Sequence, residues 1–121
     1  MKKKTAIIDK SYSILSRRRS LLLQRKHRAA QTIKRLTRIL RTKYGATRIV
    51  LVGSCTSPER FGFQSDIDLA VQGILPARFF KAEGDMLLAA EEFDVDLVPI
   101  ESANERMLQA IQTGNVLYEK R

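Results

Sequence analysis

The sequence predicts an α+β fold in which a small mixed β-sheet is packed with helices. The chain of 121 residues has the length of one domain, at roughly 100–200 residues per domain. Hydrophobic residues make up 44% of it and charged residues 29%, an ordinary globular composition that argues against a disordered or fibrous chain. Apolar patterns alternate in the order helix, strand, loop, strand, helix, strand, helix. We expect the helices to cover one face of the sheet.

The first regular element is a helix that begins at Leu21 and ends at Gly45, a common C-terminal stop. Its apolar residues recur at the three- and four-residue spacing of a single helical face. This stripe consists of Leu22, Ala29, Ile33, Leu36, Leu40 and Tyr44. Residues 1–20, rich in Lys, Arg and Ser, are assigned to a basic N-terminal segment outside the domain formed by residues 21–121.

Three short apolar runs predict the strands of the sheet. They comprise residues 48–53, 66–71 and 93–98, and their β-branched content is typical of strands. Between the first two strands, residues 53–65 carry three serines, two glycines and a proline. This composition predicts a loop with room for one helical turn.

Two shorter helices and an edge strand complete the predicted order. Pro76 can occupy the first turn of the second helix. Ser102 is predicted to begin the last helix, with Glu105 at the capping-box position and Gly114 at the end. The apolar residues 116–118 then predict an additional edge strand.

The charge of the chain is strongly divided along its length. Residues 1–48 hold 16 Lys and Arg against one acid, and residues 49–121 hold 6 against 12, so the net charges are +15 and −6. A basic arm on an acidic body suggests a segment that binds a polyanion or docks on an acidic partner. An equally weighted alternative is a solvated helix whose positive charge offsets the acidic body within the fold.

The sequence favours a cytoplasmic protein with no membrane association. No window approaches the ~18 consecutive apolar residues of a membrane span, and the basic N-terminus is not followed by the apolar region of a secretory signal. The one cysteine, Cys55, excludes an internal disulfide or a cysteine-rich zinc site. No basic residue adjoins it in sequence to lower the pKa of its thiol, so we expect it to be inert.

Two of the predicted strands carry acids at alternating positions. Asp66 and Asp68 lie two residues apart and therefore point to the same face, and Asp94 and Asp96 repeat this spacing. Like charges crowded beside a core are costly unless a cation neutralises them. Mg²⁺ prefers such oxygen ligands. The alternative interpretation is a solvent-facing strand surface, where polar residues alternate as a matter of course.

A Gly-Ser pair closes the first predicted strand. Gly53 allows the backbone to approach a phosphate closely, and the Ser54 hydroxyl and the following amides can donate hydrogen bonds to it. Alone, the pair indicates a plain turn. Combined with Asp66, Asp68 and Asp96, it is typical of a site for a triphosphate and a metal.

At these residues the sequence resembles the minimal nucleotidyltransferases of the DNA polymerase beta superfamily. The signature of that group is a strand, Gly-Ser, a loop, Asp-x-Asp and a third acid on a later strand. The matching stretches are residues 43–54, 61–71 and 93–101. The resemblance covers roughly residues 21–120 and implies the polymerase-beta-like nucleotidyltransferase fold.

The resemblance also implies a reaction and a role for each site residue. The reaction is transfer of a nucleoside monophosphate, most often AMP from ATP, to a hydroxyl. Asp66, Asp68 and Asp96 would hold two Mg²⁺ ions, and Asp96 would take the proton of the acceptor hydroxyl. The nucleotide-binding residues would be Gly53, Ser54 and Ser65. Asp94 is not counted as a ligand.

The acceptor is expected to be a partner protein, because the chain has no room for a second domain. Small members of this group resemble antitoxins that adenylylate, or simply cap, a HEPN-type toxin ribonuclease. The loop after Ser54 departs from the family pattern: residues 55–59 stand where members commonly carry small residues and an arginine, and Arg60 is a candidate replacement. The competing hypothesis is therefore a non-catalytic module that binds a partner protein or nucleic acid through its basic helix.

Overall fold

The computed structural model describes residues 2–121, with side chains described from Tyr12 onward. The elements are α1 (Lys2–Thr42), β1 (Arg48–Val52), β2 (Ile67–Gln72), α2 (Pro76–Ala89), β3 (Val95–Pro99), α3 (Glu105–Thr113) and β4 (Asn115–Glu119). Two short 3₁₀ turns cover Gly53–Thr56 and Ile100–Ser102. The predicted order of elements is confirmed, including the helical turn in the loop after β1.

The four strands form one mixed sheet in the order β3-β2-β1-β4. β1 is antiparallel to both β2 and β4, whereas β2 and β3 are parallel. A parallel pair needs a crossover connection rather than a tight turn, and α2 lies in the connection here. The predicted α+β fold with a small mixed sheet is confirmed.

The helices pack on both faces of the sheet, so the prediction that they cover one face is wrong. Ile49 and Leu51 of β1 belong to the core shared with α1 and α2. Val50 and Val52 point the other way and pack with Ile111 of α3. The continuous apolar run of β1 is the signal for this arrangement, because a strand buried on both faces does not alternate with polar residues.

The first helix is longer than predicted. α1 begins at Lys2 rather than Leu21 and runs through the division between residues 1–20 and 21–121, which itself stays a prediction. Residues 2–20 contain no glycine or proline, so nothing in them interrupts a helix. Within residues 2–121, none of the helices combines the length and apolar character needed to cross a membrane.

The part of α1 that packs against the sheet, together with Lys43 just after the helix, forms ion pairs with acids of α2 and of the segment that follows it. They join Arg28 Nε to Glu92 Oε1 at 2.5 Å, Arg35 Nη1 to Glu91 Oε1 at 3.1 Å and Lys43 Nζ to Asp85 Oδ2 at 2.7 Å. The hydrogen bond from Arg28 lowers the pKa of Glu92, and that from Lys43 lowers the pKa of Asp85. In this part of the chain, the positive charges are therefore neutralised by acids of the same chain, as one of the two interpretations of the sequence expects.

The last helix is capped by a different residue from the one predicted. Asn104, not Ser102, is the N-cap of α3, and its Oδ1 accepts a hydrogen bond from the Met107 amide at 2.8 Å. Ser102 instead ends the preceding 3₁₀ turn. Both residue types can cap a helix, and the turn decided which of them occupies the cap.

Replacing Leu36 with alanine tests the packing of α1 on the sheet. The Leu36 side chain has no exposed surface, so we expect a loss of about 2–5 kcal/mol in the free energy of unfolding. Leu88→Ala is the matched control, since 84% of Leu88 is exposed and its loss should cost less than about 0.5 kcal/mol. Denaturant unfolding of both variants measures the difference, and equal effects would contradict the described core.

Candidate functional site

The site residues predicted from the sequence lie at one edge of the sheet, where β1 ends and where β2 and β3 begin. Val52, the last residue of β1, is the register partner of Asp68 on antiparallel β2. Asp68 is in turn the register partner of Asp96 on parallel β3. The sheet therefore brings the turn that starts at Gly53 beside acids that are distant in sequence.

Three acids share this edge, and their charges act on one another. Asp66 and Asp96 are exposed, and Asp68 is partly buried. Burial raises the pKa of the Asp68 carboxyl, and the negative charges of Asp96 and then Asp66 raise it further. Ile67 and Leu69 belong to the core under α1 and α2, so Asp68 points to the opposite face of the sheet.

The backbone at Gly53 approaches the Asp68 carboxylate very closely. Gly53 has φ of +80°, a conformation that favours glycine. A Cβ at this position would collide with Asp68 Oδ2. Glycine is thus required here both by the backbone angle and by the space that the carboxylate occupies.

A cleft of about 490 Å³ opens at this edge. It is lined by Ser54, Arg60, Gly62, Phe63, Gln64, Ser65, Asp66 and Asp68. Ser65 is buried, and its Oγ accepts a hydrogen bond from the Gly62 amide at 2.8 Å. Ser54 and Ser65 lie in the same cleft as Asp66 and Asp68, where hydroxyl groups can donate to an anionic ligand.

Arg60 lies across the turn that precedes the cleft. Its Nη2 donates to the carbonyl oxygen of Gly53 at 3.0 Å and lies 3.4 Å from Thr56 Oγ1. The sequence indicates Arg60 as a candidate replacement for the loop arginine without fixing its position. The structure places its guanidinium beside Gly53 and on the cleft wall, where it supplies positive charge.

Arg25 reaches the site from α1, and no sequence motif identifies it. Its Nη2 donates to the carbonyl oxygen of Ser65 at 3.2 Å, and Nη1 lies 3.6 Å from Glu92 Oε2. The guanidinium also lies over the Phe93 ring, 4.5 Å from its centre. Arg25 thus joins the segments that lead into β2 and β3. Only its place beside the apolar stripe of α1 distinguishes it in the sequence.

The surroundings of Cys55 do not activate its thiol for catalysis. Its Sγ donates to the carbonyl oxygen of Asp66 at 3.1 Å. Burial raises the pKa of the Cys55 thiol, and the charge of Asp68 acts in the same direction. The group therefore stays protonated at neutral pH, in agreement with the inert thiol expected from the sequence.

The chemistry of the acids suits a hard divalent cation. Carboxylate oxygens are the ligands that Mg²⁺ prefers, and the mutual repulsion at Asp68 is relieved when a cation is bound. Among the side chains described, from residue 12 to residue 121, no three His, Cys, Asp or Glu residues are gathered closely enough to hold a metal ion. The acids share an edge and a register but are not drawn together as a coordination group.

No protein-family model matches the chain, and no curated protein matches it. Solved structures do match the chain. One is the MntA–HepT toxin–antitoxin in a mutant with two aspartates, two positions apart, changed to glutamate: it is 25% identical, covers 73% of each chain and has a TM-score of 0.58. A toxin–antitoxin with AMP-PNP is 27% identical over 75% of this chain and 73% of that one, at 0.57.

A third structure shares the fold at lower identity. It contains a tri-AMPylated Shewanella oneidensis HEPN toxin in complex with an MNT antitoxin, and is 24% identical over 78% of this chain and 73% of that chain, with a TM-score of 0.54. All three structures share the fold of this chain, and the two described first are also at least 25% identical to it. They confirm the resemblance to minimal nucleotidyltransferases that the sequence predicts.

Proposed function

On the premise that this chain has the fold of the MntA minimal nucleotidyltransferases, we propose that it transfers AMP from ATP to a hydroxyl of a partner protein. The partner is a HEPN toxin, and the chain is its antitoxin. The observation that carries the proposal is the sheet edge where Asp68 lies beside Asp96 and the Gly53 turn packs against the Asp68 carboxylate.

The solved neighbours support both the donor and the acceptor. One neighbour is a toxin–antitoxin with AMP-PNP, a nucleoside triphosphate analogue. Another contains a tri-AMPylated HEPN toxin beside its MNT antitoxin. A third carries paired aspartate-to-glutamate changes at the spacing of Asp66 and Asp68, which supports an Asp-x-Asp pair as a functional unit.

Each residue of the edge has a role in this reaction. Asp66, Asp68 and Asp96 would hold Mg²⁺, with two ions expected from the resemblance. When bound, the metal would offset phosphate charge and favour ionisation of the acceptor hydroxyl. Gly53 and Ser54 would bind the β- and γ-phosphates, Ser65 would also contact the nucleotide, and Arg60 would add positive charge on the same wall.

The transfer itself is a single displacement at the α-phosphorus. A bond forms between the acceptor oxygen and that phosphorus, the bond from phosphorus to the bridging oxygen breaks, and pyrophosphate leaves. Asp96 accepts the proton of the hydroxyl. Positioning and electrostatic stabilisation provide most of the rate enhancement in phosphoryl transfer, which suits a site made of carboxylates, hydroxyls and one guanidinium.

A binding module without catalysis is the second candidate. Two observations favour it: residues 55–59 lack the loop arginine of the family pattern, and the acids are not gathered as a coordination group within residues 12–121. In that case the fold would serve only to cap a partner.

Thermal unfolding with ATP, GTP, CTP or UTP, each with Mg²⁺ or EDTA, separates the two candidates. A ligand at 100 times its Kd adds about 2.7 kcal/mol to stability, which should raise Tm by roughly 8–12 °C for a domain of this size. We expect a Mg²⁺-dependent rise with ATP that is absent in Asp66→Asn/Asp68→Asn and retained in Asp94→Asn. If no nucleotide raises Tm, the isolated chain has no preformed donor site, and the binding module becomes the better description.

A further inference from the structure

The first helix has two halves that differ in how their charges are used. From Arg25 onward, α1 is paired with the acids of the body. Residues 12–24 of α1, called the arm below, are different. Within residues 12–121, no ion pair joins Arg17, Arg18 or Arg19 to an acid, and every arm residue except Leu22 is exposed.

The arm leaves the body at the edge that carries the candidate site. Arg25, just after the arm, contacts the segments that lead into β2 and β3. Farther along the arm, the Arg18 guanidinium lies over the ring of Phe63, 5.9 Å from its centre, and Phe63 lines the cleft. At about 1.5 Å per residue, the 13 arm residues are roughly 20 Å long, and Arg18 in the middle of the arm lies beside the cleft.

The arm is apolar as well as basic. Its large apolar side chains are unusually exposed: Tyr12 73%, Ile14 59%, Leu15 63%, Leu21 48% and Leu23 64%. Leu15 lies seven residues before Leu22, which packs at the margin of the core, and Leu22 lies seven before the buried Ala29. The stripe that buries α1 against the sheet therefore continues into the arm, where no described residue covers it.

We propose that the arm docks on an acidic, partly apolar protein surface of the acceptor and thereby holds its hydroxyl at the cleft. This inference rests on the proposed function. Three arginines that pair with no acid of residues 12–121 complement a negative surface, and exposed leucines and isoleucine need an apolar surface to cover them. The position beside Phe63 makes the docking surface continuous with the site.

The same observations argue against two other occupants. Nucleic acid offers phosphates but little to cover aliphatic side chains, and Tyr12 is the one aromatic residue of the arm on which a base could stack. A second copy of this chain is disfavoured because three acids on the side that faces α1, Asp85, Glu91 and Glu92, are already paired with α1 itself.

A random copolymer of glutamate and tyrosine is a suitable probe, because it combines negative charge, aromatic surface and hydroxyl groups. We expect the full chain to bind the labelled copolymer in a salt-dependent manner. Arg17→Glu/Arg18→Glu/Arg19→Glu should weaken the Kd about tenfold or more, which corresponds to about 1.4 kcal/mol. The matched control Lys34→Glu/Arg38→Glu/Lys120→Glu makes the same change in net charge at residues outside the arm and should stay within about twofold of wild type.

A second variant tests the apolar part of the surface. Tyr12→Ala/Leu15→Ala keeps every charge and removes two exposed side chains, so the fold should be retained and the copolymer Kd should still rise. Equal binding by the arm and control variants overturns the proposal. So does tighter binding to poly(U) RNA, or a concentration-dependent dimer that is lost in the arm variants.

The experiments give different results if the docking proposal is wrong and if the nucleotidyltransferase proposal is wrong. Asp66→Asn/Asp68→Asn should lose the Tm rise with Mg²⁺ and ATP but keep its affinity for the copolymer. The arm variant should keep the Tm rise and lose the affinity. If wild type shows no Tm rise but binds the copolymer through the arm, the nucleotidyltransferase proposal fails while the docking surface stands.

Discussion

Replacing Asp68 with asparagine should lower the proposed nucleotide transfer about 10³-fold and, in the absence of metal, make the folded chain more stable at neutral pH. Asp68 is the acid with neighbours on both sides, Asp66 two residues earlier and Asp96 in register on β3. Loss of a carboxylate that holds a catalytic metal removes several kcal/mol of transition-state stabilisation, or about 10³-fold in rate. Transfer of labelled AMP to the proposed HEPN partner measures this loss.

The gain in stability follows from the direction of the pKa shift. Burial and the neighbouring acids raise the pKa of Asp68 in the folded chain. The folded state therefore holds this proton more tightly than the unfolded chain does, and that contribution is present at acid pH and lost as pH rises through the raised pKa. The stability difference between Asp68→Asn and wild type should be small near pH 3 and largest at neutral pH.

Asp94→Asn is the matched control for this experiment. It removes one negative charge from the same end of β3, but the acids that raise the pKa of Asp68 are Asp96 and Asp66. We expect near wild-type transfer and little change in the pH dependence of unfolding. If Asp68→Asn destabilises the metal-free chain at neutral pH, or retains transfer, the three acids do not act as one site.

Replacing Gly53 with alanine should disrupt the same site through the backbone. A positive φ costs an alanine about 1–2 kcal/mol, and the added Cβ would also collide with Asp68 Oδ2. We expect a loss of stability beyond the backbone cost. We also expect the affinity for ATP to fall about tenfold or more, since the turn and the carboxylate cannot keep their relative positions.

Gly45→Ala isolates the contribution of the contact. Gly45 has φ of +71°, close to the +80° of Gly53, but a Cβ there would meet no atom within 4 Å. Both variants carry the backbone cost, so their difference in unfolding free energy reports the collision with Asp68. ATP binding should survive in Gly45→Ala. Equal stability and equal ATP affinity in the two variants would show that Gly53 is needed only for its φ angle.

The sequence predicts the elements of this fold well because each has its own local signal. The apolar stripe of α1 from Leu22 to Tyr44, the β-branched run of β1 and Pro76 at the start of α2 are all patterns of neighbouring residues. The misplaced features depend on less local information. The extension of α1 before Leu21 gains no burial at its described side chains, since residues 12–20 are exposed, and the cap of α3 depends on the 3₁₀ turn before it.

In the candidate site, too, some residues are predicted by local sequence patterns and others are placed only by the fold. Gly-Ser and Asp-x-Asp are short motifs, and their spacing along the chain is enough to predict the acids and the turn proposed to bind phosphate. The positions of Arg25 and Arg60 at the site could not be predicted from such motifs. Arg60 is brought to Gly53 by the path of a loop, and Arg25 is brought to Ser65 by the packing of α1 across the sheet.

Alternation and glycine spacing are properties of the chain, so the sequence is enough to predict the class of fold, the acids and the turn. Which acids are neighbours depends on the folded sheet, since the register of β2 and β3 sets Asp68 beside Asp96. The folded structure also sets which positive charges in and just after α1 form ion pairs with acids of the same chain. Pairing requires an acid within reach in space: Asp85, Glu91 and Glu92 pair with Arg25, Arg28, Arg35 and Lys43, and no described acid pairs with the arm.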